Sequence, residues 1–287
     1  MLLLDFNGIA IAAMMESLDK NTHASDIDME MIRHMILNTL RYLKSKFNEH
    51  EMIICCDSRH YWRKDFFPYY KANRKKDREK SPLDWNKIHA CFNQMKSELR
   101  ETFPYRILEI DGAEADDIIG VLVHEYGTEL NSGEEIIICS SDKDFKQLHS
   151  YGNVRQYDPI RTKDWVTCED PEVYLKEHII KGDRGDGIPT IINPSNCLVL
   201  GIRQKPLMSK KLKEWINKEP IDFCDPVMLA RYIQNRTLID LNYIPDDLSI
   251  KILDEYNSQE NKKSGNLFNY FMKHSLKQHL SNIQDFK

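Results

Sequence analysis

The chain has 287 residues, 41% of them hydrophobic and 30% charged, and a formal net charge of −5. This suits a soluble globular protein built as one large domain, or as a domain with a smaller lobe, and leaves bulk charge useless as an argument for nucleic-acid binding. No apolar run is long enough to span a bilayer, and the seven cysteines, odd in number and without a C-x-x-C pair, argue against a disulfide framework or a zinc site.

The cysteines therefore point to a reducing, cytoplasmic setting. Met1–Met15 lacks a basic start and carries Asp5, so no signal peptide is expected. Leu2-Leu3-Leu4 reads as a first, central strand ending at Asp5, with Asn7-Gly8 and an apolar helix behind it. Ser25-x-x-Asp28 resembles a capping box that opens a helix reaching about Phe47. Met52–Cys56 reads as a second strand, and it too ends in an aspartate, Asp57. Alone, either acid reads as an ordinary turn residue.

Between Arg59 and Lys80 the composition changes, with nine basic residues against three acidic ones in a chain that is acidic overall. Arg59, Arg63, Lys64, Lys71, Arg74, Lys75 and Lys76 are interleaved with Tyr61, Trp62, Phe66, Phe67, Tyr69 and Tyr70. Cations for phosphates and ring faces for bases are the ingredients of a single-strand channel. A solvated basic loop is the plainer alternative, but disordered segments are poor in aromatic residues.

Ser81-Pro82 reads as N-cap and N1 of a helix running to about Thr102. A third strand over Tyr105–Ile110 leads into Glu114-Ala115-Asp116-Asp117, which opens a helix to about Tyr126. Three acids in a first helical turn suit the helix dipole, and equally suit a site already holding Asp5 and Asp57. Ile136-Ile137-Ile138 is a buried strand, followed by Ser140-Ser141-Asp142-Lys143-Asp144-Phe145 and a helix. Carboxylates two residues apart repel each other unless a divalent cation lies between them. Short strands follow over Val154–Tyr157 and Trp165–Thr167, then a helix over Pro171–Lys181 and a polar turn holding Asp183 and Asp186. Helices are expected over about 207–218, 225–240, 246–257 and 265–282.

These blocks, in this order and at this spacing, resemble the 5′-nuclease (flap endonuclease) family. The Tyr61–Phe66, Tyr69–Arg74 and Leu238–Asp246 stretches are similar to its ribonuclease H branch from T-even phages. The resemblance implies a mainly parallel α/β, PIN-like domain over 1–180 with a basic helical arch at about 59–100. A smaller helical region over 181–287 would begin with a helix–three-turn–helix-like DNA-binding element. It implies a Mg2+-dependent 5′→3′ nuclease that removes RNA primers from RNA–DNA hybrids and cuts 5′ ends or flaps of DNA in lagging-strand replication. Two metal ions are implied, with Mn2+ able to substitute. Carried over by position, Asp5, Asp57, Asp116 and Asp142 hold the first metal and Asp144 and Asp186 the second, with Glu114, Asp117 and Asp183 as outer ligands. Arg63 and Lys71 match the arch residues that engage the scissile phosphate.

One departure stands out. Asp186-Gly187-Ile188-Pro189-Thr190 and the stretch after it lack the family's glycine hairpin pattern, so an irregular duplex-binding element is expected. The implied partners are DNA and RNA–DNA hybrids with a free 5′ end or flap, with no membrane and a monomeric state. The segment from Phe268 to Phe286 reads either as a dock for a single-strand-binding protein or sliding clamp, or simply as a packed terminal helix. Two other classes fit less well: a non-catalytic structure-specific DNA-binding module, and a PIN-type ribonuclease acting on structured RNA.

Overall fold

The computed structural model describes residues 1–18, 27–48, 50–128 and 134–287. The strands are β1 (Leu2–Asp5), β2 (Met52–Cys55), β3 (Arg106–Leu108), β4 (Ile136–Cys139), β5 (Val154–Tyr157) and β6 (Trp165–Val166). They form one sheet in the order β3-β2-β1-β4-β5-β6, parallel except for β6, which runs antiparallel to β5. From β1 the chain moves outward through β2 to β3, then returns to the other side of β1 for β4. The order thus reverses at the β1/β4 junction, where a crevice opens outside the carboxyl ends of the strands.

The central strands are buried on both faces, as their unbroken apolar runs require. Leu2, Leu4, Ile54 and Ile137 face one core with α1 (Phe6–Leu18), α2 (Met29–Lys46) and residues of the helix Trp85–Thr102. Leu3, Ile53, Ile136 and Ile138 face a second core on the opposite side. The arch segment folds into α3 (Trp62–Phe66) and α4 (Asn73–Glu79), and the helix after it is α5 (Trp85–Thr102). Continuing in order are α6 (Ala115–Tyr126), a 3-10 helix over Asp144–Ser150, α7 (Pro171–Lys181), α8 (Ser209–Ile216), α9 (Pro220–Phe223), α10 (Pro226–Ile239), α11 (Asp246–Ser258), α12 (Leu267–Lys273) and α13 (Lys277–Leu280).

A third core joins α7, α8 and α10 to Phe67 and Tyr70 of the arch. Leu248 and Ile252 of α11 close the second face of the sheet, and Leu267, Tyr270 and Phe271 of α12 close the first. Asn235 ties α10 to the polar turn, donating to the carbonyls of Ile179 and Pro189 at 3.0 and 2.8 Å.

Several expected boundaries shift for local reasons. The capping box at Ser25 lies outside the described residues. The helix behind it starts at Met29, with Asp28 accepting from the Met31 N–H at 2.9 Å. Ser81 is not the N-cap of α5: Asp84 is, accepting from the Lys87 N–H at 3.1 Å, while Ser81 accepts from Leu83 in the turn before. Aspartate at that position offers a stronger acceptor close to the first free amides. The segment after β4 is a single 3-10 element rather than an α-helix. The expected 265–282 helix breaks between α12 and α13, where Ser275 takes a φ of 54°. Between Lys181 and Ser209 the chain runs through turns without a helix.

Candidate metal centre

Each acid of the centre is delivered by a strand end or a helix start at the β1/β4 switch. Asp5 ends β1. Its Oδ1 accepts from the Gly8 N–H at 2.9 Å and its Oδ2 from Ser140 Oγ at 3.0 Å. A Cβ at position 8 would collide with that carboxylate, so glycine is what lets Asp5 fold back onto the first turn of α1. Asp57 follows β2 and accepts from Asn7 Nδ2 at 2.7 Å and from the Ala115 N–H at 2.8 Å. Asp116 stands in the first turn of α6. Asp142 follows β4, accepting from the Asp144 N–H at 3.0 Å, and its loop is pinned by Gln156, which donates to the carbonyls of Ser140 and Asp142.

Asp5, Asp57, Asp116, Asp142, Asp144 and Asp183 all line one open pocket of about 740 Å3. Among the described residues, the first four form no ion pair, although Lys71 is near enough to Asp116 to act against its upward shift. Asp144 and Asp183 share only His178, whose Nδ1 lies 3.4 Å from Asp144 and whose Nε2 lies 3.4 Å from Asp183.

Of the remaining three predicted ligands, Glu114 and Asp117 do not line that pocket, and Asp186 lines a small cavity with Asp116, Asp144 and Asp183. Asp117 is fully buried; its Oδ1 pairs with Arg63 at 2.7 Å and its Oδ2 accepts from the Glu114 N–H at 2.9 Å. Glu114 is buried against Arg63 at 3.1 Å, Tyr70 Oη at 2.9 Å and Lys71 Nζ at 2.5 Å. Here the helix-capping reading holds, and these two acids act as anchors for the arch. Asp186 is turned to Arg74 at 2.6 Å, to Lys71 at 3.5 Å and to the Tyr70 hydroxyl at 3.0 Å. Three cationic or hydroxyl donors satisfy it, and like Asp183 it is close enough to Asp144 to push that carboxyl upward.

The basic arch is sorted in the same way. Arg63 is 3% exposed and also donates to the Leu238 carbonyl at 2.8 Å, so it presents no charge to a substrate. Tyr70 is 3% exposed, its ring in the third core, and offers no stacking face. Lys71 and Arg74 do line the pocket. Tyr61 is half-buried, and Arg59 and Lys64 are exposed. Lys75 and Lys76 sit on α4, with side chains outside the described ones.

Lys71 is held in the left-handed region at φ 54°, its N–H donating to the Asp186 carbonyl at 2.7 Å. Opposite it, Gly187 has φ 78°, and a Cβ there would lie 2.7 Å from the Tyr69 carbonyl. The arch root and the polar turn are thus clasped backbone to backbone.

Crowding sets the protonation of the centre. Burial, then the nearby Asp57, pushes the Asp5 carboxyl up to about 7; burial, then Asp142, does the same to Asp144. Asp116 is driven well above the usual carboxylate range by burial and by Asp142 and Asp5. Asp183 moves the other way, down to about 2, because His178 donates to it. Burial would lower the His178 pKa, but Asp183 and Asp144 outweigh it and the net shift is upward.

Oxygen-rich donors held at the cost of mutual repulsion fit hard divalent cations such as Mg2+ or Mn2+. Among the described residues, Asp144, His178 and Asp183 offer one donor atom each within 4.8 Å of one another. Sequence reading missed His178, Tyr174 and Arg161, which also line the pocket. The i,i+4 spacing of Tyr174 and His178 on α7, ahead of the polar turn, was the only signal for the first two.

Residues 1–178 match the family described as the 5′-3′ exonuclease N-terminal resolvase-like domain, and residues 169–286 match the T4 RNase H C-terminal family. The chain is 34% identical over 299 residues to ribonuclease H of Enterobacteria phage T4, covering 99% of this chain and 95% of that protein. Two solved structures share the fold at lower identity. The T5 5′-exonuclease with bound zinc ions superposes with a TM-score of 0.60 at 17% identity, covering 91% of this chain and 99% of its own. A bacteriophage T5 flap endonuclease, solved as a pseudo-enzyme–product complex with DNA and metal ions, gives 0.60 at 15% identity, covering 90% and 98%.

The pKa shifts predict a pH-dependent response to metal. The unfolded chain loses its Asp protons near pH 4, but Asp5 and Asp144 keep theirs to about 7 when folded. Between those values the folded state binds more protons, so these groups make cation-free stability fall as pH rises. The rise in Tm on adding Mg2+ should therefore be larger at about pH 7.5 than at about pH 5.5; an equal rise at both contradicts the assignment.

Arg63→Met should cost about 3–5 kcal/mol of stability by stranding Asp117 and Glu114. A variant with unchanged stability and only a lower kcat would return Arg63 to the substrate.

Proposed function

The chain belongs to the 5′-3′ exonuclease family, with a C-terminal region of the T4 RNase H type, and from that premise we propose that it is a Mg2+-dependent 5′→3′ nuclease. Its substrates on this reading are RNA primers in RNA–DNA hybrids and the 5′ ends or flaps of DNA, and its role is in lagging-strand replication. The observation that carries the proposal is the set of four acids, Asp5, Asp57, Asp116 and Asp142, that line one pocket and form no ion pair among the described residues.

Asp5, Asp57, Asp116 and Asp142 are the residues proposed to hold a first Mg2+, and Asp144 and Asp186, with Asp183 beside them, a second, with Mn2+ as a substitute. When bound, such a pair supplies water activation, charge neutralisation on the phosphodiester and stabilisation of the leaving oxygen. The protein's own part is to hold the carboxylates in place, through Gly8 and Ser140 for Asp5 and through Asn7 and Ala115 for Asp57.

At the pocket mouth, Lys143 and Arg161 are exposed cations suited to phosphate oxygens, and Lys71 and Arg74 close the arch side. Such local cations let an acidic protein grip a polyanion. Residues 1–180 form the proposed catalytic domain, and 181–287 the proposed helical region that carries the duplex-binding element. On α12, Phe268 and Met272 are both 55% exposed and four residues apart, a suitable contact for a single-strand-binding protein or sliding clamp. No described helix is long and apolar enough to cross a membrane.

Cleavage of a 5′-labelled RNA–DNA hybrid and a 5′-flap duplex should stop with EDTA and return with Mg2+ or Mn2+. Asp142→Asn should lower turnover by about 100-fold or more while leaving DNA binding largely intact. Cleavage that persists in EDTA, or near-normal turnover of the variant, would remove the proposed centre.

A further inference from the structure

The loop from Asp158 to Asp164, between β5 and β6, is built around one carboxylate. Asp158 is buried, and its oxygens accept from the N–H groups of Ile160 at 3.1 Å, Arg161 at 3.0 Å and Thr162 at 3.2 Å, and from Thr162 Oγ1 at 3.3 Å. The Asp158 N–H donates to the Asp164 carbonyl at 3.0 Å, and Tyr157 Oη donates to the Lys163 carbonyl at 2.8 Å. Lys163 itself is held at φ 55°. A buried carboxylate is costly unless its lone pairs are filled; here the loop's own amides fill them, and so fix the loop in one shape. In that shape Ile160 is buried in the first core, while Arg161 beside it is exposed and lines the carboxylate pocket. Cys139 of β4 is in register with Tyr157 of β5, so the loop leaves the sheet next to Ser140–Asp144.

Charge partners separate Arg161 from most other cations of the pocket. Lys71 is engaged by Glu114, Arg74 by Asp186 and Lys181 by Glu177, and His178 lies between Asp144 and Asp183. Among the described residues, Arg161 and Lys143 are the lining cations that form no ion pair. Lys143 belongs to the acidic block itself, between Asp142 and Asp144. Arg161 comes from a separate, rigid element, and it pairs with none of the six aspartates that share its pocket. A guanidinium held exposed beside a metal-binding edge, with its fork unused, matches two oxygens of one phosphate. The arch and this loop also approach from opposite faces of the sheet: Trp62 at the arch root packs against the second core, and Ile160 lies in the first. A strand lying across the acids therefore meets paired cations on one side and an unpaired arginine on the other.

We propose that Arg161 binds one backbone phosphate of the cut strand, on the side of the pocket away from the arch, and that Asp158 is the positioning residue that holds it there. The proposal rests on the nuclease reading for the ligand being a nucleic-acid strand, and on the β5–β6 loop alone for the contact. It puts a phosphate grip outside both the arch and the 181–287 region.

The test measures binding of the Asp142→Asn protein in Mg2+ to 5′-flap duplexes that carry one uncharged methylphosphonate at successive positions of the cut strand. One position beside the cut should weaken binding about tenfold. With Arg161→Ala added, the unmodified duplex should bind about tenfold more weakly, and the methylphosphonate at that position should then cost less than about twofold while the other positions keep their effects. Arg161→Lys should recover part of the affinity, because it keeps the charge and loses the fork. Asp158→Asn should erase sensitivity at the same position with Arg161 still present, an effect that a general loss of stability does not produce. A scan with no sensitive position, or with one that Arg161→Ala leaves unchanged, overturns the contact. Sensitivity that survives Asp158→Asn, or that falls equally at all positions, overturns the positioning role. If the wild-type protein in Mg2+ cuts none of these duplexes, the nuclease reading falls, and the scan still decides Arg161 because it reads binding alone.

Discussion

The rest of the structure is arranged around a repulsion: six aspartates line a single pocket, and four of them form no ion pair among the described residues. A fold tolerates this only when something outside the chain supplies positive charge or when protons do. The raised Asp5, Asp116 and Asp144 show the protons at work. The parallel sheet makes the convergence possible. Strands that leave β1 in opposite directions along the sheet bring the ends of β1, β2 and β4 to one edge, and α6 delivers its first turn to the same edge.

A second group of charges is fully matched, and its role is mechanical. Arg63 with Glu114 and Asp117, and Lys71 and Arg74 with Asp186, bind the root of the arch to α6 and to the polar turn. The left-handed Lys71 and the glycine at 187 let two backbones meet there. Burial alone would lower the Lys71 pKa, but Asp186, Tyr70 and Glu114 hold it well above its ordinary value, so it stays charged. The carboxylate edge and the root of the arch are thus one connected unit, with Lys71 and Arg74 held at the rim of the acidic pocket.

Much of this was legible in the sequence because it is local. An apolar run ending in aspartate marks a strand and its carboxyl end, and that signal placed Asp5, Asp57 and Asp142 correctly. Spacing could not say which acids find partners. Asp116 and Asp117 are neighbours with the same propensities, yet one enters the pocket and the other is capped and paired; the choice depends on Arg63, more than fifty residues away. His178 was invisible for the same reason, since its meaning comes only from Asp144 and Asp183 closing on either side of it. Tyr70 shows the limit of reading composition: its aromatic ring suggested a stacking face, whereas the third core consumed it.

The central claim is most directly tested by anomalous scattering from crystals of the protein soaked in Mn2+. The account predicts two peaks in the pocket, one among Asp5, Asp57, Asp116 and Asp142 and one beside Asp144 and Asp183. No peak among the first four, or peaks only at Glu114 or the surface, would contradict it.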